Sequence, residues 1–204
     1  AAPPTAYRMR GESFVSPFVT HEIARDGLVF DDGNIRVTAA ENSHYVMIPA
    51  AVRPRFKTYS YRIETPDGVI VFSGDTGPTG AIGTIAKGAD VLIAEASYRD
   101  KIDLDQSIGA RAARNHWPPL MANRFRDHFV YEHLDAAEIG RIAAKARAKS
   151  VILYHYNPAN EADQAAYVSG VKKDFAGPVF APDDLDRYCL SSGAVAPCGS
   201  ARRR

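Results

Sequence analysis

Two hydrophobic periods divide the chain. Leu28-Val29-Phe30 and Ile35-Arg36-Val37-Thr38-Ala39 flank Asp31-Asp32-Gly33-Asn34, residues that tolerate positive φ, and predict a hairpin. Tyr59, Tyr61 and Ile63 alternate with polar neighbours up to Glu64. Pro66-Asp67-Gly68 then make a turn, and Val69 to Phe72 return as a more deeply buried strand. Beyond Ser73 the spacing becomes helical at Ala81, Ile82, Ile85 and Ala86, Lys87-Gly88 supply a stop, and Val91 to Ala94 form another apolar strand. Asp135 followed by Glu138 is a capping-box start, and Ile139, Ile142, Ala143 and Ala146 continue it as one stripe, so an amphipathic helix is predicted from about Leu134 to Ala148. Val151 to Tyr154 is a buried strand ending at His155, followed by a helix from Glu161 to about Lys173 and a short strand at Val179-Phe180. Ser97 to Tyr131 has little periodicity and contains Trp117-Pro118-Pro119, which predicts a long irregular excursion or a short helical insert.

With 204 residues, 46% of them hydrophobic, the chain buries a core, and disorder is excluded as its main state. A single domain is expected over 1–190 with a flexible tail over 191–204, its arginines Arg202 to Arg204 solvated. Lys and Arg number 25 against 24 Asp and Glu, so no broad field attracts a nucleic acid or a membrane, and a charged substrate must be held locally. Apolar runs such as Val69 to Phe72 are far too short to cross a hydrocarbon core. A soluble protein is expected, cytoplasmic or periplasmic, because a start at Ala1 without methionine leaves a removed leader open. Cys189 and Cys198, separated by Ser191-Ser192-Gly193 and other residues, read either as a small closed loop or as two thiols.

Hairpins followed by alternating helices and strands imply an α/β (α+β) sheet layered with helices, its polar groups concentrated where strands run out. Three strand ends carry metal-ligand types: His44 after the strand to Ala39, Asp75 after Phe72, and His155 after Tyr154. Imidazoles and a carboxylate are ligands that zinc accepts, and a carboxylate has two oxygens with which to bridge paired ions. Taken singly, each also reads as a hydrogen-bonded residue at a strand end. Gly74 and Gly77 flank Asp75 and let the backbone turn sharply enough to aim it outward.

Glu41-Asn42-Ser43-His44, Ser73-Gly74-Asp75-Thr76 and Tyr154-His155-Tyr156-Asn157-Pro158 resemble, in order, three metal motifs of metallo-β-lactamase-superfamily hydrolases, in the style of ribonuclease Z. The resemblance extends from about His21 to Asp184. It implies a metallo-β-lactamase-like αββα sandwich and a two-zinc site in which His44 binds one ion, His155 the other, and Asp75 bridges them. Ala94-Glu95-Ala96-Ser97 resembles the His-Glu-Ala-Thr element of ribonuclease Z-like proteins with alanine for its histidine, and Glu132-His133-Leu134 resembles the element whose histidine faces the reacting group. The resemblance therefore implies that His133 binds an oxyanion or protonates a leaving group and that Glu95 orients it. Their alternatives are a helix N-terminal residue for His133 and a strand-end ion-pair partner for Glu95.

The family's His-x-His-x-Asp-His signature does not occur in the sequence. His116 and His128 lack its spacing and are not expected to substitute for it; His21 reads as an exposed strand residue. The chain is therefore expected to hold mainly the carboxyl-terminal half of the sandwich, incomplete on its amino-terminal side. The implied activity is metal-dependent hydrolysis of a phosphodiester, or of an ester or lactone small molecule, with nucleic acid a partner only as substrate and no membrane partner. Rival expectations are a catalytically inactive truncated binding module and a half-domain that pairs with a second copy or a complementing chain.

Overall fold

A computed structural model describes residues 21–156 and 161–200. Seven strands lie side by side in chain order: β1 (Gly27–Asp31), β2 (Arg36–Glu41), β3 (Tyr59–Thr65), β4 (Gly68–Phe72), β5 (Val91–Glu95), β6 (Ser150–Tyr154) and β7 (Val179–Phe180). The pairings from β1 to β4 are antiparallel and those from β4 to β7 are parallel. The switch follows from the connections. Asp31 and Asp32 side chains accept from the Gly33, Asn34 and Ile35 amides and close the first turn. Thr65 pairs with Gly68 across the two residues of the second. From β4 onward each connection carries helix: α1 (Gly80–Ile85), then α2 (Lys101–Arg114), α3 (Pro119–Glu132) and α4 (Ala136–Ala146), then α5 (Glu161–Lys172). Parallel strands need such crossovers.

Register aligns Val71, Leu92 and Val151 across β4, β5 and β6, and these three pack with Ala94 and Leu153 against Ile82 and Ile85 of α1, Ile139 and Ala143 of α4, and Val171 of α5. The other face carries the row Tyr61, Phe72, Ile93, Ile152 and Phe180. Its members are half-buried except Ile152, which is buried. Asp135 accepts from the Glu138 amide at 2.7 Å while Glu138 accepts from the Asp135 amide at 3.1 Å, so the predicted capping box opens α4. Arg147 ends the helix in the left-handed region.

Two expectations are corrected. Ser97 to Tyr131 is neither irregular nor a short insert: α2 and α3, of 14 residues each, form a helical hairpin. It packs on a satellite cluster of Tyr98, Leu104 and Ile108 with Phe125, Phe129 and Val130, so each helix needs only a narrow apolar stripe and shows little periodicity. The tail expected from residue 191 is a strand as far as Ser200: β8 (Asp186–Ser191) and β9 (Ala194–Ser200) form a hairpin cross-linked by the Cys189–Cys198 disulfide. The Gly193 amide at its tip donates to the Asp67 carbonyl at 2.9 Å, and Tyr188 packs against Phe180. Arg202 to Arg204 lie outside the described residues, as do Asn157 and Pro158 of the motif after His155.

Asp135→Ala removes the acceptor for the Glu138 amide and is expected to destabilise the fold by about 1 kcal/mol. Urea denaturation checks it, and an unchanged midpoint would contradict the cap's role.

Candidate metal centre

The loop after β2 is stitched to the loop after β4. The Asn42 side-chain amide donates to the Ser73 carbonyl at 3.2 Å, its Oδ1 accepts from the His44 amide, and the Ser43 amide donates to Thr76 Oγ1. These bonds set His44 beside Asp75. Gly74 takes φ of +59°, where a Cβ would lie 2.7 Å from the Tyr59 carbonyl. At Gly77 a Cβ would lie 1.9 Å from the Tyr131 carbonyl, so the Asp75 loop fits against the end of α3 only with glycine there.

His133 follows α3 directly, with its amide donating to the Phe129 carbonyl, and is buried. Ligand atoms of His44, Asp75 and His133 lie within 4.8 Å of one another. His155, which leaves β6 at φ of +56°, brings Nε2 to 3.4 Å from Asp75 Oδ2. The structure thus gathers all five residues singled out in the sequence, because Glu95 stands behind His133: His133 Nδ1 is 3.2 Å from both Glu95 oxygens.

The ring nitrogens have definite roles. Glu95 offers only lone pairs to His133 Nδ1, and the Glu132 carbonyl offers only lone pairs to His44 Nδ1 at 3.1 Å, so each Nδ1 carries hydrogen and each Nε2 keeps its lone pair. An imidazole fixed in this way is prepared to bind a cation through Nε2. His128 behaves alike, with Nδ1 2.7 Å from Glu132 Oε2. Its Nε2 lies 3.2 Å from His133 Nε2, and two facing lone pairs are relieved by a shared proton or a cation. The donor set therefore fits a divalent metal of the zinc type.

His128 and Glu132 were missed by sequence reasoning; the structure brings His128, set aside on its spacing, to the cluster. The signal lay in an i, i+4 pair one turn before His133, readable only once α3 is known to be a helix. His116 sits at the α2–α3 turn, where it takes φ of +51°. Glu132 is buried and also accepts from the Met47 amide at 2.8 Å, tying the His44 loop to α3. Ser97 donates to Glu95 Oε2 at 2.7 Å with its oxygen 2.9 Å from His133 Nδ1. Burial pushes the Tyr154 hydroxyl above the usual phenol range, with Asp75 and Glu95 adding to the shift against its hydrogen bond with Ser73. It therefore stays protonated beside the carboxylates.

Glu95 is fully buried and accepts from the Thr76 amide at 3.2 Å and the Leu134 amide at 3.1 Å. Glu95→Ala leaves both amides without acceptors and is expected to destabilise the fold by about 3 kcal/mol or more, against a smaller loss for Glu95→Gln, which keeps one acceptor oxygen. Chemical denaturation of both variants checks this, and equal losses would contradict it.

Comparison with known proteins gives the family and the fold. The family model described as beta-lactamase superfamily domain matches residues 4–156. An uncharacterized protein of Mycobacterium leprae (strain TN) is 31% identical over 137 residues, 67% of this chain and 39% of its own length. Ribonuclease Z of Mycobacterium sp. (strain KMS) is 27% identical over 188 residues, 90% of this chain and 56% of its own length. The chain thus spans from 39% to 56% of the length of these curated relatives. Among solved structures, the metallo-beta-lactamase fold protein YhfI from Bacillus subtilis superposes with a TM-score of 0.55 at 17% identity, covering 88% of this chain and 55% of that one, which shows the fold. With the family model matched over well more than half of its residues, a sheet layered with helices and ribonuclease Z among its relatives, the chain belongs to the beta-lactamase superfamily.

Proposed function

We propose that the chain forms the second half of a metal-dependent hydrolase site that acts on a phosphodiester or another ester. The observation that carries this reading is the convergence of His44, Asp75, His133 and His155 at the strand ends, with His133 backed by a buried carboxylate. His44, Asp75 and His155 would hold zinc, Asp75 having two oxygens with which to serve a pair of ions. When bound, the metal supplies the Lewis acidity that makes water a nucleophile at neutral pH.

The chain's own residues do the rest. Glu95 holds His133 in one ring orientation with Nε2 turned away from the carboxylate, and once that Nε2 lone pair has taken a proton from water the ring can hydrogen-bond an oxyanion or pass the proton to the departing oxygen. Its burial under α3 keeps the ring in place between turnovers at no ordering cost. Glu132 fixes the ring orientation of His44 through its carbonyl and that of His128 through its carboxylate. Charge balance over the molecule leaves substrate attraction to this cluster alone, which suits a compact ester or a nucleic acid held at one phosphate. Among the described residues no helix is long and apolar enough to cross a membrane.

Two measurements test the reading. Cobalt(II) added to the chain should give a visible absorption band of tetrahedral or five-coordinate type, and His44→Ala or Asp75→Ala should remove it. The same variants should lower zinc-dependent hydrolysis of bis(4-nitrophenyl) phosphate by about 100-fold or more, and His128→Ala by about tenfold, in line with losses at ligand-supporting residues. A chain that takes up no metal, or variants that hydrolyse as well as the parent, would favour an inactive binding module and reject the assignment.

A further inference from the structure

The histidine cluster is the floor of a cavity of about 580 Å³ lying beneath the α2–α3 hairpin, lined there by His128, His155 and the buried His133. That volume is typical of a small-molecule pocket. Its wall is apolar and aromatic: Phe125, Phe129, Leu104 and Ile108 line it, Phe129 standing 5.3 Å from the His133 ring and Phe125 5.4 Å from Phe129, while Trp117, outside the lining, lies 5.1 Å from Phe125. Both phenylalanines are only half-buried, so their rings present apolar surface to the cavity. At the rim the Arg111 guanidinium lies 5.7 Å over the Phe125 ring. Among the described residues no carboxylate pairs with Arg111, whereas Arg99, the cavity's other arginine, is committed to Asp103 and to Asp163.

We propose that this cavity is a leaving-group pocket, selecting a compact anionic ester that carries one flat ring, with the ring against Phe125 and Phe129 and the anionic group on the histidine floor. It rests on the hydrolase reading for the chemistry but on the hairpin for the selectivity. Offset or edge-on packing of a ligand ring on two phenylalanines adds to the apolar burial, and the Arg111 charge, without a carboxylate partner among the described residues, favours a ligand that arrives negative. A folded RNA does not enter a space of this size; a single aryl ester does.

Trp117 is the only tryptophan and touches Phe125, so its fluorescence reports ring entry without any turnover. Phenyl phosphate, methyl phosphate and inorganic phosphate are titrated into the chain in parallel. Phenyl phosphate is expected to saturate the emission change at a concentration at least tenfold below methyl phosphate. Phe125→Leu and Phe129→Leu, which keep an apolar side chain, should each shrink that preference to threefold or less while methyl phosphate binding is unchanged. Phenyl selectivity that the leucine variants lose, found in a chain without metal-dependent hydrolysis, supports the pocket and rejects the hydrolase reading. Hydrolysis without phenyl selectivity, or selectivity that survives both variants, overturns the pocket and leaves the hydrolase reading standing.

Discussion

A single buried carboxylate holds the candidate site together. Glu95, at the end of β5 and with none of its surface exposed, takes hydrogen bonds from the Thr76 amide, the Leu134 amide and Ser97, and faces His133 Nδ1 with both oxygens. Those donors belong to three separate stretches of chain. Burying an ionised group is costly unless every lone pair is engaged, so the strand end, the Asp75 loop and the start of α4 must be in place together. The Glu95 amide extends the same network by donating to Ser73 Oγ, one residue before Gly74.

Glu132 is the counterpart on the other side of the cluster. Its carbonyl fixes His44 and its carboxylate fixes His128 and the Met47 amide, so the end of α3 sets two imidazoles and one loop at once. Between them the two glutamates orient three rings with their Nε2 lone pairs free to converge. This is the preparation that a cation site requires: rings aimed through hydrogen bonds at Nδ1 and partly withdrawn from water. The helical hairpin supplies Glu132 and the aromatic wall together, which couples the ordering of the ligands to the shape of the cavity above them.

Much of the sheet was legible because its residues obey one period each. Tyr59 to Phe72 alternate or run apolar between turn residues, and Asp135 with Glu138 announces α4 by a cap whose partners lie three residues apart. The hairpin of α2 and α3 was not legible: Leu104 and Ile108 on one helix and Phe125 and Phe129 on the other are the sparse stripes of elements that pack mainly on each other. Strand β9 escaped for a related reason, since Ala194 to Ser200 is weakly apolar and is held by its ladder to β8 and by the disulfide.

By itself the sequence determined the order of β1 to β7 with α1, α4 and α5, the glycines that aim Asp75, and the candidate set of His44, Asp75, Glu95, His133 and His155, because local turn chemistry and motif spacing depend on near neighbours. Tertiary structure alone decided that these five meet, that His128 and Glu132 join them, and that an aromatic cavity stands over them. The reason is geometric. Convergence depends on sheet register and on where a helical hairpin docks, and contacts between residues 88 positions apart, as between His44 and Glu132, leave no periodic trace along the chain.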